Sequence, residues 1–223
     1  MNTSFTKYWN RLAGVGLVTL LTAGFATVTA AQSVAGKAFC TYVQTPVASS
    51  GRTALVVLPA VSGTDGSEAD GSGGTLDVPG ALSAEFLKSI TSGELGAAES
   101  GAQSTSSAEN VNVLDGLITA DALVANVRSR VAGGAAVSDA DGSTFSNLVV
   151  AGVPVTSGDG AVEPNTRIDL SGVGYVVLNE QLRSGDGVSS SGLTVNMIHV
   201  YLKGLLGATT GEIIVGSATS KVQ

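Results

Sequence analysis

Six Asp-Gly pairs, at 65, 70, 115, 141, 159 and 186, cut the chain into short pieces and so limit what it can fold into. Asp caps a turn with its carboxylate and Gly accepts positive φ, so each pair marks a tight reversal. Between the pairs lie Val and Thr separated by Gly, Ala and Ser, the materials of short strands. Glycine reaches 30 of 223 residues while charged residues fall to 13%, against about 7% and about 25% in average usage. The expectation is all-β: an antiparallel β-sandwich of about eight to ten strands with at most one or two short helices. The formal charge of −7 has the wrong sign for a nucleic-acid binder. The 43% hydrophobic content excludes a charge-rich disordered chain.

The first residues read as an export signal. Lys7 and Arg11 precede an uncharged apolar run over 12–28, and small residues follow at Thr29, Ala30 and Ala31. This layout predicts a signal peptide over 1–31, cleaved after Ala30 or Ala31. Gly14, Gly16, Thr19, Thr22 and Gly24 interrupt the run, which therefore falls short of the roughly 20 apolar residues of a membrane span. Cleavage leaves nine Lys and Arg against eighteen Asp and Glu. No later segment is apolar enough to span a bilayer, so the expectation is a secreted, periplasmic or cell-surface protein without an integral anchor. Cys40 has no partner in the processed chain, and Lys37, Ala38 and Phe39 before it are unlike a lipidation signal. It reads as a small buried residue in an early strand.

One domain is expected over 32–223. Strands are predicted over 34–43 and 53–61, with Pro59 at a strand end or edge. Residues 62–75 read as a long polar loop. The one helix candidate is 78–90, where Leu82, Phe86, Leu87 and Ile90 fall near helical spacing and Pro79 suits a first turn. Residues 91–109 read as a second loop or a polar edge strand. From 110 onward, runs of eight to ten residues alternate with turns, and Ala151-Gly152 reads as a hairpin reversal. Four strands follow over 165–170, 172–181, 193–202 and 211–222. In the third, both alternating sets are largely apolar, which predicts a central strand covered on both sides.

Five phrases stand in an order and spacing that resemble the choice-of-anchor P family: VLDGLITADAL (113–123), GSTFSNLVVAGVPV (142–155), PNTRIDLSGVGYVVLNEQ (164–181), LTVNMIHVYL (193–202) and GEIIVGSATSKV (211–222). The resemblance spans roughly 34–222. It implies an exported bacterial protein that shares a domain with relatives of varied surface attachment, and it supplies no reaction, cofactor or ligand. No LPxTG-like signal, second apolar tail or basic cluster follows the last predicted strand, so a freely secreted, periplasmic or matrix-associated protein is expected.

Candidate sites are few. His199 is the one His, so a Ser-His-Asp hydrolase would need it as base, but no G-x-S-x-G elbow accompanies it. A Glu180/Glu212 pair, with Asp169 and Glu163 as further carboxylates, is the alternative hydrolase centre. Most aromatics after the leader are expected in the core, which disfavours an aromatic sugar platform. Asp139, Asp141 and Ser143 have the spacing of hard-oxygen ligands for Ca²⁺, and a Ca²⁺-assisted adhesion module is a further alternative; an EF-hand would need a Glu where Val150 stands. Asn165, Arg167, Asn179, Glu180, Gln181 and Asn196 form a predicted polar patch, with a Glu180–Arg167 pair as its simplest closure. No zinc set, phosphate loop or dinucleotide fingerprint occurs. The functional expectation is a non-enzymatic extracellular or surface protein without a cofactor, acting through self-association or contact with a surface or matrix component.

Overall fold

Buried and partly exposed residues alternate from Val34 to Ala38, as they must where one face of a strand meets a core. The computed structural model describes residues 33–61, 67–204 and 206–223. Among these there are sixteen strands and no helix, hence none long and apolar enough to cross a membrane. The expected leader over 1–31 lies outside the described residues.

The chain opens one sheet with β1 (Val34–Gln44), β2 (Ser49–Thr53) and β3 (Val56–Val61). It then builds the second from β4 (Ser67–Val78), β5 (Leu82–Leu95), β6 (Glu99–Val113), β7 (Ile118–Ala132), β8 (Ala135–Asp139), β9 (Thr144–Ser146), β10 (Val149–Val150), β11 (Val153–Pro154) and β12 (Asp159–Gly160). β13 (Thr166–Leu170), β14 (Gly174–Gly185), β15 (Ser191–Lys203) and β16 (Thr209–Val222) return to the first. The seven-stranded sheet runs β13-β14-β15-β16-β1-β2 with β3 also on β1, and the nine-stranded sheet runs β11-β10-β7-β6-β5-β4 with three short strands attached around β7. Adjacent strands pair antiparallel, and the two sheets face each other as a sandwich, as expected. β1 and β16 close the fold, with Val34 opposite Val222.

The main core lies between the sheets, around Leu123, Phe145, Leu178, Met197, Ile198 and Ile213. A smaller cluster of Val34, Leu95, Ala102, Val131, Ala136 and Val222 fills the far end. A seam of buried hydroxyls separates them. Ser104 Oγ donates to the Thr219 carbonyl (2.6 Å) and Ser106 Oγ to the Phe39 carbonyl (2.8 Å), while Ser129 and Ser220 hydroxyls meet at 2.7 Å. A one-carbon side chain reaches the opposite backbone only where the sheets approach closely, and Gly36 shows how closely: a Cβ there would collide with Thr91 Oγ1. Small hydroxyl residues therefore fill the seam and satisfy one another. Cys40 is buried in β1 beside it, with its Sγ 3.3 Å from Ser89 Oγ.

Three expectations are corrected. The helix predicted over 78–90 is the start of β5: Leu82, Ala84 and Leu87 are buried while Phe86, at φ 49°, is exposed. The pairing with β6 slips around Glu85, so the inward set shifts from even to odd residues. A strand that changes phase spaces its apolar residues as a helix would. The polar loop predicted over 62–75 is, from Ser67 on, the edge strand β4, and 62–66 lie outside the described residues. Gly, Ser and Asp suit an edge that must not recruit another strand. Residues 91–109 are no loop and no edge: β6 lies inside its sheet between β5 and β7.

β15 is central, as predicted, but its doubled apolar pattern has the same origin as that of β5. Leu193, Val195 and Met197 face the core, and then Ile198 and Val200 do. Beside Met197, Asn179 and Gly216 have φ of 48° and 67°. This row of left-handed residues turns the phase of three strands at once. It puts Asn196, His199 and Tyr201 on the outer face of the sheet.

Candidate functional site

The register fixes who meets whom on that outer face. β15 pairs Asn196 with Glu180 of β14 and Ser217 of β16, and Tyr201 with Tyr175 and Glu212. His199 sits between these two rows. Its Nδ1 lies 2.7 Å from Glu180 Oε2 and its Nε2 3.0 Å from Glu212 Oε2. Glu180 also accepts from Tyr201 Oη at 2.6 Å and from Asn196 Nδ2 at 2.7 Å, while Ser217 Oγ donates to Asn196 Oδ1 at 2.7 Å. The His199 ring stacks on Tyr201 at 3.9 Å, Tyr201 on Tyr175 at 4.8 Å, and the Arg167 guanidinium covers Tyr175 at 3.9 Å.

These neighbours leave His199 6% and Glu180 8% exposed although both lie on an outer face. Both ring nitrogens face carboxylate oxygens, so both carry protons and the ring is an imidazolium. Burial opposes that charge, but the hydrogen bonds and charges of Glu180 and then Glu212 outweigh it and raise the His199 pKa. Burial likewise favours a neutral Glu180, yet hydrogen bonds from His199, Tyr201 and Asn196 pull its pKa down to about 2. Burial, and next the hydrogen bond to Glu180, push the Tyr201 hydroxyl well above its usual range. Chemically the group is a clasp: one cation held between two anions, tying three strands together.

The sequence candidates are thus partly brought together and partly separated. His199, Glu180 and Glu212, offered as rival catalytic groups, form one cluster, and Asn196 of the polar patch belongs to it. Tyr201 and Ser217 complete it; Tyr201 was signalled by its i+2 spacing from His199, Ser217 by nothing local. Met197, two residues before His199, faces the core instead of joining the cluster, because the strand changes phase between them. The proposed Glu180–Arg167 pair does not form. Arg167 instead binds Asp169 Oδ1 at 2.8 Å through its Nη2, since the two project from the same side of β13. Glu163 is exposed before β13 and joins neither carboxylate.

The rest of the patch closes a different place. Asn165 Oδ1 accepts from the Gln181 backbone (2.8 Å), Asn179 Nδ2 donates to the Val162 carbonyl (2.7 Å), and Gln181 Nε2 donates to Asn179 Oδ1 (3.3 Å). Asn179 and Gln181 border a cleft of about 350 Å³ whose other wall carries Asp139, Asp141 and Ser143. There Ser143 Oγ is bonded to the Asn126 backbone, and Asp139 Oδ1 accepts the Asp141 N–H at 3.3 Å. That is turn geometry. Among the described residues no three His, Cys, Asp or Glu side chains converge as a metal site. A second cleft, of about 680 Å³, lies between the 170–174 and 203–209 turns and is bordered by Arg167, Tyr175 and Lys203.

The aromatics contradict one expectation. Phe145 alone is in the main core, whereas Phe39, Tyr42, Tyr175 and Tyr201 line the outer face of the seven-stranded sheet. Arg52 lies over both Phe39 and Tyr42, about 5 Å from each ring centre. The rings of Tyr175 and Tyr201 are engaged by stacking, and Phe39, Tyr42 and Tyr175 by cation contacts.

No family model, curated protein or solved structure matches the chain.

Proposed function

We propose that the chain is an exported, non-enzymatic extracellular or cell-surface protein of the choice-of-anchor P type, with a structural or binding role exercised through self-association or contact with a surface or matrix component. The observation that carries this reading is the saturation of the clasp. A general base needs a free lone pair near the proton it removes, whereas His199 is committed through both nitrogens to Glu180 and Glu212. A general acid needs a proton at working pH, whereas Glu180 is held ionised by three donors. The hydrolase alternative would have to dismantle this cluster before using it. The Ca²⁺ alternative would have to release Ser143 from the Asn126 backbone.

Fractionation of producing cells with intact-mass measurement tests the reading. The expected product starts at Ala31 or Gln32 and is recovered from the medium, periplasm or surface wash; an unprocessed chain confined to the cytosol overturns it.

A further inference from the structure

Charge is divided between the two sheets. The strands of the seven-stranded sheet carry six Lys and Arg against Asp169, Glu180 and Glu212, while those of the nine-stranded sheet carry Lys88, Arg128 and Arg130 against ten Asp and Glu. On the outer face of the first, Lys37, Arg52, Arg167, Lys203 and Lys221 share the surface with the clasp, where His199 offsets one of its two acids, and with Asp169, which is paired with Arg167; the face keeps a net positive charge. On the outer face of the second, Asp77, Glu85, Glu109 and Asp121 stand on four adjacent strands. Glu85 is directly opposite Glu109, a like-charge pair that destabilises an isolated sheet.

Phe86 stands in that acidic field, 65% exposed and at φ 49°. A bulky residue at positive φ is strained, and an exposed ring gains nothing from burial within its own fold. All sixteen strands belong to the two sheets, so no third layer of described residues covers either outer face. In each sheet four adjacent strands, β14-β15-β16-β1 and β7-β6-β5-β4, run eleven residues or more; at about 4.8 Å spacing they offer a face of roughly 800 Å², matching the ~800 Å² per partner of a specific interface.

We propose that the basic outer face of the seven-stranded sheet docks the acidic outer face of the nine-stranded sheet of a second copy, with Phe86 as the apolar anchor. The contact is head to tail: each copy keeps one face of each sign free, so association continues into an open array unless rotation closes a ring. The net negative charge opposes this at long range. At a Debye length of about 8 Å, contact between opposite faces outweighs the more distant like charges. The inference rests on the self-association named above and specifies its surfaces.

Sedimentation of the purified protein tests it. The weight-average mass is expected to exceed the monomer severalfold at about 0.1 M salt and to fall to the monomer near 1 M, where the Debye length is about 3 Å. Variants D77K/E109K and K203E/K221E, checked for native circular dichroism, are each expected to sediment as monomers, and their equimolar mixture as a 1:1 heterodimer. Phe86→Gly is expected to melt higher, by relief of the positive φ, and to lose association. A monomer at every salt concentration, or a dimer indifferent to both charge reversals, overturns the proposal. Neither result bears on where the protein is exported, which fractionation reads separately.

Discussion

His199 stabilises the fold only while it is charged. Its folded pKa is raised above the ordinary value near 6.5, so its contribution is complete below about pH 6.5 and is lost as pH rises through the folded value. Glu180 behaves oppositely. Its folded pKa of about 2 lies below the ordinary 4.5, so its contribution is complete above about pH 4.5 and is lost as pH falls towards 2. Together they predict maximal stability between about pH 4.5 and 6.5. The shift at Glu180 corresponds to on the order of 3 kcal/mol, shared with its coupled partner. Urea unfolding at closely spaced pH values should show both limbs, and His199→Gln should remove the alkaline one. An unchanged alkaline limb in that variant would mean that another group titrates. Glu180→Gln, which leaves the imidazolium one carboxylate, should cost about 2–4 kcal/mol at pH 6.

At the level of the strand, the row beside Met197 decides which side chains reach the core. Gly216 is the one position there where any side chain fails twice, because its φ is 67° and a Cβ would collide with Leu123 Cδ1. Gly216→Ala is expected to lower stability by about 2–4 kcal/mol, read from the urea midpoint, whereas Gly116→Ala, in a turn with open space around it, should cost only about 1 kcal/mol. In the hydroxyl seam, Ser104→Ala removes the bond to the Thr219 carbonyl and should cost about 1–2 kcal/mol. Ser104→Val overfills a gap sized for one oxygen and should cost more. Equal effects of the two would show that the sheets are free to separate.

The same row marks where reading residues in order stops working. β13, β14, β15 and β16 were legible because runs rich in Val, Ile and Leu stand between turn residues, although β14 continues to Gly185, four residues past the expected end at Gln181. The reversal at Ala151-Gly152 was legible because Val150 and Val153 flank it, and both turn residues have positive φ. The Asp-Gly rule held where the pair joins two strands, as at 115, 141 and 186. It failed at 70 and 159, which lie within strands. Phe86 hid β5, since one left-handed residue converts a period of two into apparent helical spacing. β6 was hidden because Ser100, Ser104 and Ser106 are buried for their small size, which hydrophobicity does not register, and β4 because its Ser and Gly pair through the backbone along a partly exposed edge. The site was half legible: His199, Glu180 and Glu212 could be nominated individually. That they meet depends on pairing β14 and β16 to β15 in one register.

Across the whole molecule, the division of charge between sheets and the closure of β1 on β16 are the two properties no single strand contains. Ser33 and Gln223 exchange backbone hydrogen bonds of 2.7 and 3.0 Å, so the ends of the domain lie side by side. A circular permutant that links Gln223 to Ser33 through a short Gly-Ser spacer and opens the exposed turn between Gly133 and Gly134 should fold with a melting temperature within about 5 °C of the parent. Loss of native near-ultraviolet circular dichroism in that permutant would show that β7 and β8 need an unbroken turn to pair.

Adjacent ends also set how the domain bears tension. β1 and β16 run antiparallel, so a pull applied at Ser33 against Gln223 loads their hydrogen bonds one after another, as a zip opens, and not all together in shear. Such a module yields at low force when stretched end to end, yet bears load well when gripped through its flat sides. In an array built by stacking those sides, tension would pass through the sheets and bypass the weak seam between first strand and last.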